Sequence, residues 1–355
     1  MNDYNNMILA LEEKQVEDIA LLKDLLLEII ECYLSDNKMS DPNVFEIVLS
    51  KCDEIDYQDL DTVMAYAMLH LLDRYRRFQF MQIKLIESGY LKNSPHLSKK
   101  RHYHSDKEEF QTRILDVGTG PAPALLAYSD FFDWYSDFKN ITIDIKMDYI
   151  EQSMGFRSFL HYLVEFAMVK NKFYHVPFHK GTFYNVLDYS ESSYRLGKSF
   201  KSRKYDFVIF SNFLTNDDFV ENIKPNLHEI FNSLTNKSIV LIVGAKPTSK
   251  KYSKIYNTLE NIIGKRFSRK QYKGQWKKIF SESFDLKYSD HRTGEVVRSY
   301  FNELKHLLNE KGLLTKLPDS VIKLIERGSG YNSKSSWYVE VYQKFSYIKY
   351  YKKNR

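Results

Sequence analysis

The sequence predicts an α/β protein: a parallel sheet with helices on both faces, preceded by a helical N-terminal region. Three observations predict it. From about residue 112 to 244, short apolar runs alternate with helical patterns, the order that builds parallel strands joined by crossover helices. One run, Arg113 to Val117, breaks into a glycine-rich turn, Gly118-Thr119-Gly120-Pro121-Ala122-Pro123, and an apolar helical pattern starts straight after it. A third run, Tyr205 to Asn212, is apolar enough for a central strand buried on both faces.

The chain has 355 residues, 43% hydrophobic and 15% aromatic, ample for a large core with an appendage. Its two cysteines, Cys32 and Cys52, have no metal or redox spacing. No stretch reaches 18 apolar residues, and no apolar run follows a basic start. These observations lead to the expectation of a reduced, soluble, cytoplasmic protein without a membrane span. Net charge is +6, unevenly spread: residues 1–91 hold 18 acids and 8 bases, and the remainder 28 acids and 44 bases. The second part therefore has a surface suited to a polyanion, although a basic protein with no such partner has the same composition.

Residues 1–91 read as helices. Met7, Ile8, Leu11, Ile19, Leu22, Leu25, Leu26, Ile29 and Ile30 recur at helical spacing, Asp41-Pro42 opens a second helix, and a third runs from Leu60 to about Glu87, stopped by Gly89. Arg74, Arg76 and Arg77 on this last helix read as a solvated face, with a ligand contact as the alternative. Residues 92–111 lack an apolar period and read as a linker. His96, His102 and His104 within it have no partners at ligand spacing, so no metal is expected.

In the body of the chain, strand Ile114–Val117 leads into helix Ala124–Phe132, with Pro123 suited to a first helical position. Strand Asn140–Ile145 carries Asp144, 28 residues beyond Asp116; an acid at such a strand end accepts hydrogen bonds from ribose hydroxyls in nucleotide-binding units. A helix is expected from Met147 to Phe156, then strands Lys180–Val186, Tyr205–Asn212 and Ser238–Gly244, helices Val220–Leu234 and Glu295–Leu308, and an alternating edge strand over Ser335–Tyr342. Ligands of open α/β sheets bind beyond the carboxyl ends of strands, which puts Ser211 and Asn212 at the mouth of any site.

Three kinds of turn compete for Gly118–Pro123. A P-loop needs a terminal Gly-Lys-Ser/Thr, and a dinucleotide fingerprint needs a third glycine where Pro123 stands. The segment Asp116-Val117-Gly118-Thr119-Gly120 instead resembles the first motif of class I S-adenosylmethionine methyltransferases. That resemblance implies a Rossmann-like class I methyltransferase sheet with S-adenosyl-L-methionine as cofactor. It implies that Asp116 lies near the cofactor's amino group and that the backbone of Gly118, Thr119 and Gly120 lies against the cofactor. It further implies that Asp144 meets the ribose, Asn185 and Val186 the adenine, and Ser211 the transfer mouth, with Asn212 a candidate to orient the acceptor. Asn212 is not followed by Pro-Pro-Tyr/Phe, which disfavours methylation of exocyclic base nitrogens. Three stretches, Asp116–Pro121, Tyr205–Leu214 and Val240–Pro247, further resemble the ribosome-linked methyltransferase-like family known from the mitochondrial small subunit.

From Lys246 to Lys278 stand eleven basic residues and one acid, Glu260, interleaved with Tyr252, Tyr256, Phe267, Tyr272 and Trp276. Cations on phosphates and aromatics on bases suit RNA, with Lys250, Lys251, Arg266, Arg269, Lys270 and Trp276 as candidate contacts. A solvated face whose aromatics belong to the core is the alternative. The expected organisation is a helical region over 1–91, a linker over 92–111, a methyltransferase domain over 112–345 with a basic insertion at about 246–280, and a basic tail over 346–355. The expected activity is methyl transfer to RNA. The alternatives are a small-molecule methyltransferase with a helical lid, and a cofactor-binding assembly protein without turnover.

Overall fold

A computed structural model describes residues 2–36, 39, 41–51, 55, 57–90, 98–99, 109–169, 183–185, 187–188, 195–196, 200, 203–211, 220–221, 223–248, 250–265, 275–330 and 333–345. His96, His102, His104, Val186, Asn212, Arg266, Arg269 and Lys270, and most of the expected linker and tail, lie outside these residues.

The chain opens with α1 (Asn2–Asp36) and α2 (Val44–Lys51). Next comes a long helix in three parts: α3 (Leu60–Tyr66), a π-helical stretch over Ala67–Leu71, and α4 (Leu72–Glu87). Asp59 caps α3, its carboxylate accepting from the Thr62 amide at 2.7 Å. Gly89 ends α4 in the left-handed region, φ +82°, with amides 89 and 90 returning to Ile86 and Leu85. On α1, Leu11, Leu22, Leu25, Leu26, Ile29 and Ile30 form the buried stripe that the spacing predicts. No helix among the described residues is long and apolar enough to cross a membrane.

The sheet follows. Its strands are β1 (Ser98–Lys99), β2 (Glu109–Val117), β3 (Thr142–Ile150), β4 (Phe183–Asn185), β7 (Tyr205–Ser211), β8 (Leu234–Gly244), β9 (Gln275–Lys287) and β10 (Lys334–Phe345). A separate two-stranded ribbon is made of β5 (Leu187–Asp188) and β6 (Arg195–Leu196). The order across the sheet is β4-β3-β2-β7-β8-β10-β9, with β1 beside the start of β2. Strands β4, β3, β2, β7 and β8 are parallel, and β10 runs antiparallel to both β8 and β9. Central β7 is buried along its whole length.

Helices cover both faces. On one, α1, α3, α4, α5 (Pro123–Lys139), α6 (Met154–Val169), α9 (Arg292–Glu310) and α10 (Asp319–Ser329) share one hydrophobic core with the sheet. On the other lie α7 (Lys224–Asn232) and α8 (Lys250–Lys265) over a second core.

The structure corrects three expectations and describes two parts of the basic stretch. The second strand does not stop at Ile145, because Met147, Tyr149 and Ile150 continue it and are buried, and the helix begins only at Met154. Ser335–Tyr342 is not an edge strand: β10 lies between β8 and β9, and β9 is the edge. The described parts of the basic stretch include α8, which buries Ile255, Leu259, Ile262 and Ile263, and the start of β9. Finally, Arg76 is 1% exposed and Arg77 lies against Trp337, so the arginine cluster is not a solvated face.

Candidate functional site

Strand β2 carries Asp116 one residue before its end, and the glycine-rich turn follows. Gly118 and Gly120 have φ of +70° and +54°, and Ala122 at the helix N-cap has +61°. The two glycines adopt this region without the Cβ penalty, and Pro123 opens α5 as expected. The Gly118 amide donates to the Ile150 carbonyl at 2.8 Å, tying the turn to the end of β3.

Asp116 is fully buried. Its Oδ2 accepts from Thr119 Oγ1 at 2.7 Å, while Oδ1 is buried with no hydrogen-bond partner among the described residues. Burial pushes its pKa up to about 7; the Thr119 hydroxyl opposes this and the Glu151 carboxylate adds to it. A buried carboxylate oxygen with no donor is costly, and a proton, a hydrogen-bond donor or a cation brought to it would relieve that cost.

Glu151 follows β3 directly and sits beside the turn. Its Oε2 accepts from the Gly120 amide at 2.9 Å and its Oε1 from the Ser153 amide at 2.8 Å. Burial raises its pKa, and the backbone donors from Ser153 and Gly120 resist that rise. Asp144, by contrast, is opposite Gln111 in the strand register, seven residues back along β3. At about 3.3 Å per residue it lies roughly 23 Å from Glu151, and its carboxylate pairs with Lys146 at 3.5 Å. The acid at the carboxyl end of β3, beside the glycine turn, is therefore Glu151 and not Asp144. The signal that could have found it is the alternation Ile143, Ile145, Met147, Tyr149, which carries the strand onward to Glu151.

The N-terminal helices roof this edge. The Tyr57 carbonyl accepts from the Gly155 amide at 3.1 Å and from the Ser153 hydroxyl, and Gln58 Oε1 accepts from the Met154 amide at 3.3 Å. A Cβ on Gly155 would lie 2.6 Å from the Tyr57 carbonyl oxygen, so only glycine permits the approach. Phe156 packs between Tyr57 (4.7 Å between ring centroids) and Tyr66 (5.2 Å), and its ring reaches to 3.8 Å from where a Cβ on Gly120 would lie.

Of the other residues expected here, Asn185 ends β4 opposite Tyr149, next to β3 in the sheet. Ser211 is buried at the end of β7, opposite Val243 on β8. Asp116, Gly118, Thr119, Gly120, Asn185 and Ser211 thus share the carboxyl edge of the parallel strands. Lys250 is exposed at the start of α8, on the helix that also carries Lys251. Trp276 is half-buried and packs edge-on to Phe231 at 6.1 Å, and Tyr252 and Tyr256 join the second core. Lys246 pairs with Asp285, and Lys278 stands 3.0 Å from both Glu260 and Glu340. Among the described residues no cluster of His, Cys, Asp or Glu could hold a metal ion.

The strand order, with β10 antiparallel between β8 and β9 beside five parallel strands, makes a doubly wound, Rossmann-like α/β sheet. No family model and no curated protein matches the chain. Similar solved structures include the plantazolicin methyltransferase BpumL in complex with SAH, at 12% identity and TM-score 0.34, with 89% of this chain and 98% of that one covered. Another is a precorrin-6y C5,15-methyltransferase from Geobacter metallireducens, at 8% and 0.34, covering 75% and 88%. A phosphoethanolamine N-methyltransferase 2 from Haemonchus contortus matches at 10% and 0.37, covering 85% of this chain and 60% of that one. Likeness of this size decides nothing about the site.

Proposed function

We propose that the chain is an S-adenosylmethionine-dependent methyltransferase acting on a small molecule. The observation that carries the reading is Asp116, buried beneath the glycine turn with one oxygen unpartnered, beside a second acid at the tip of the neighbouring strand. Such a pair suits a nucleoside bearing an amino-acid cation, and a pyrophosphate would be repelled by it. Bound there, S-adenosylmethionine supplies a methyl group on a sulfonium. Asp116 holds the ligand's amino group, Glu151 accepts from ribose hydroxyls, and Gly118 and Gly120 let the backbone close on the ligand. Tyr57, Tyr66 and Phe156 exclude water above the turn. Transfer by in-line displacement needs mostly such positioning and desolvation. The roof of N-terminal helices favours an acceptor small enough to sit beneath it.

A second reading, an RNA acceptor in a ribosome-linked role with or without turnover, rests on the basic stretch, in which Lys250, Lys254 and Lys277 are exposed. Its described aromatics face the core, which weakens it. Incubation with methyl-labelled S-adenosylmethionine and fractionated metabolites, RNA and protein tests both. Label in the metabolite fraction, unchanged between 50 and 200 mM salt (about the range over which phosphate contacts weaken steeply), is expected. Label in RNA that falls with salt, and is lost when Lys250, Lys251, Arg269 and Lys270 are all changed to Glu, supports the second reading. Label in no fraction contradicts both enzymatic readings.

A further inference from the structure

A cavity of about 750 Å³ lies between the start of α4, the α9–α10 pair and the first residues of β10, within the range of small-molecule sites. Strand β10 enters the sheet beside Gly244, at the carboxyl end of β8. The β10 wall of the cavity therefore lies toward the same edge of the sheet as the glycine turn.

Its charge is positive. Asp73, the acid in its wall, is already saturated: Oδ2 accepts from Arg77 Nη2 at 2.7 Å and Ser335 Oγ at 2.8 Å, and Oδ1 from Tyr288 at 3.1 Å. Behind it Arg76 is buried, donating to the Lys287 carbonyl at 2.9 Å, with Nη1 unpartnered among the described residues. Arg327 and Lys334 stand exposed at the rim, Lys334 only 3.6 Å from Asp285. Leu69, Phe301 and Leu324 line the apolar remainder.

His70 links this cavity to the turn. Its Nε2 is buried and has no partner among the described residues. Burial, with the Arg77 charge, lowers its pKa to about 4, so the ring is neutral. The ring meets Tyr66 edge-on at 5.1 Å, and Tyr66 meets Phe156, which lies over Gly120.

We infer that this cavity is the acceptor site for a small oxyanion, a carboxylate or phosphate ester, whose acidic group docks between Arg77 and Arg327 and whose other end reaches past His70 toward the glycine turn. The inference rests on the methyl-transfer reading and names its substrate class. In the transfer the acceptor's lone pair forms the bond to the methyl carbon, and the carbon–sulfur bond breaks with its electron pair left on sulfur. The proton shed by the acceptor atom passes to solvent. His70 Nε2 supplies the hydrogen bond that orients the acceptor.

The test uses the full chain, with inorganic phosphate, glycerol 3-phosphate and citrate as anionic probes and glucose and choline as controls, read by calorimetry and thermal shift. The anions, and not the controls, should bind, and Arg327→Glu should weaken them about tenfold or more while S-adenosylmethionine affinity stays within about twofold. His70→Gln serves as the second variant: inorganic phosphate should bind it within about twofold of the wild type, with cofactor affinity kept, whereas labelled turnover should fall about tenfold or more; unchanged turnover would overturn the role of His70. The phosphate and carboxylate arms separate the two acid types. In turnover with a metabolite pool, labelled product should be retained on an anion exchanger. Product in the neutral or cationic fraction, formed equally by Arg327→Glu, overturns the inference and leaves the methyltransferase reading standing. Failure of the wild type to bind cofactor, even where anions bind, removes that reading and this inference with it.

Discussion

At the scale of single residues, Asp116 carries the account. Burial favours its neutral form, whereas a cation at Oδ1 would favour the ionised one. Binding of S-adenosylmethionine below pH 7 should therefore release close to one proton per site. Affinity should fall as the pH drops below about 7, the value to which its pKa is pushed. Calorimetry at pH 6 in buffers of different ionisation enthalpy measures that proton, and Asp116→Asn should abolish it. The sign for stability is opposite. A carboxyl whose folded pKa is raised stabilises the ligand-free fold below its unfolded value of about 3.9 and loses that stabilisation as the pH rises through about 7. Asp116→Asn should accordingly raise the melting temperature of the ligand-free protein at pH 8 while weakening cofactor binding. Asp116→Ala and Glu151→Ala should each cost roughly 1–3 kcal/mol of cofactor affinity, and Asp144→Ala none. Equal effects at Asp144 and Glu151 would contradict the assignment of the second acid.

At the scale of elements, the site is made by two strand tips and a helix start brought under a roof. Gly155 is where that roof touches down, and Gly155→Ala should destabilise the protein by about 1–3 kcal/mol through overpacking against the Tyr57 carbonyl, measured by denaturant unfolding. The turn, its proline and the helix after it were legible in the sequence because a local rule governs each. The extent of β3 was less legible. Its apolar alternation runs on through Met147 and Tyr149, but charges at Asp144, Lys146 and Asp148 argue against a strand inside the sheet; Asp148 is nonetheless buried in a pair with Arg113 at 3.0 Å and with Arg203. Those partners stand 35 and 55 residues away, and no local pattern announces them. The position of β10 was hidden for a similar reason. Half-polar alternation signals an edge strand, yet β9 covers it, and the buried Glu340 is held by Tyr338, Tyr342 and Lys278. The aromatics among the lysines resembled a binding surface by composition alone, whereas helical and strand periodicity turns Tyr256 and Trp276 toward the core.

At the scale of the whole molecule, one core runs from α1 through the sheet to α10, so the acidic helices and the basic body are not independent. Deleting residues 1–91 should remove cooperative folding of the remainder, read as loss of a single calorimetric melting transition; a remainder that melts sharply near the full-length temperature would contradict this. The same packing joins the glycine turn, the Tyr57–Phe156–Tyr66 cluster and the cavity beside His70 toward one edge of the sheet. Everything placed on that edge depends on its being a nucleoside site for an amino-acid cation. Calorimetric titration of the full chain with S-adenosylmethionine, S-adenosylhomocysteine and NAD tests this most directly. Saturable binding of the first two, weakened by Asp116→Ala, and no binding of NAD are expected. Binding of NAD, or of none of the three, would contradict it.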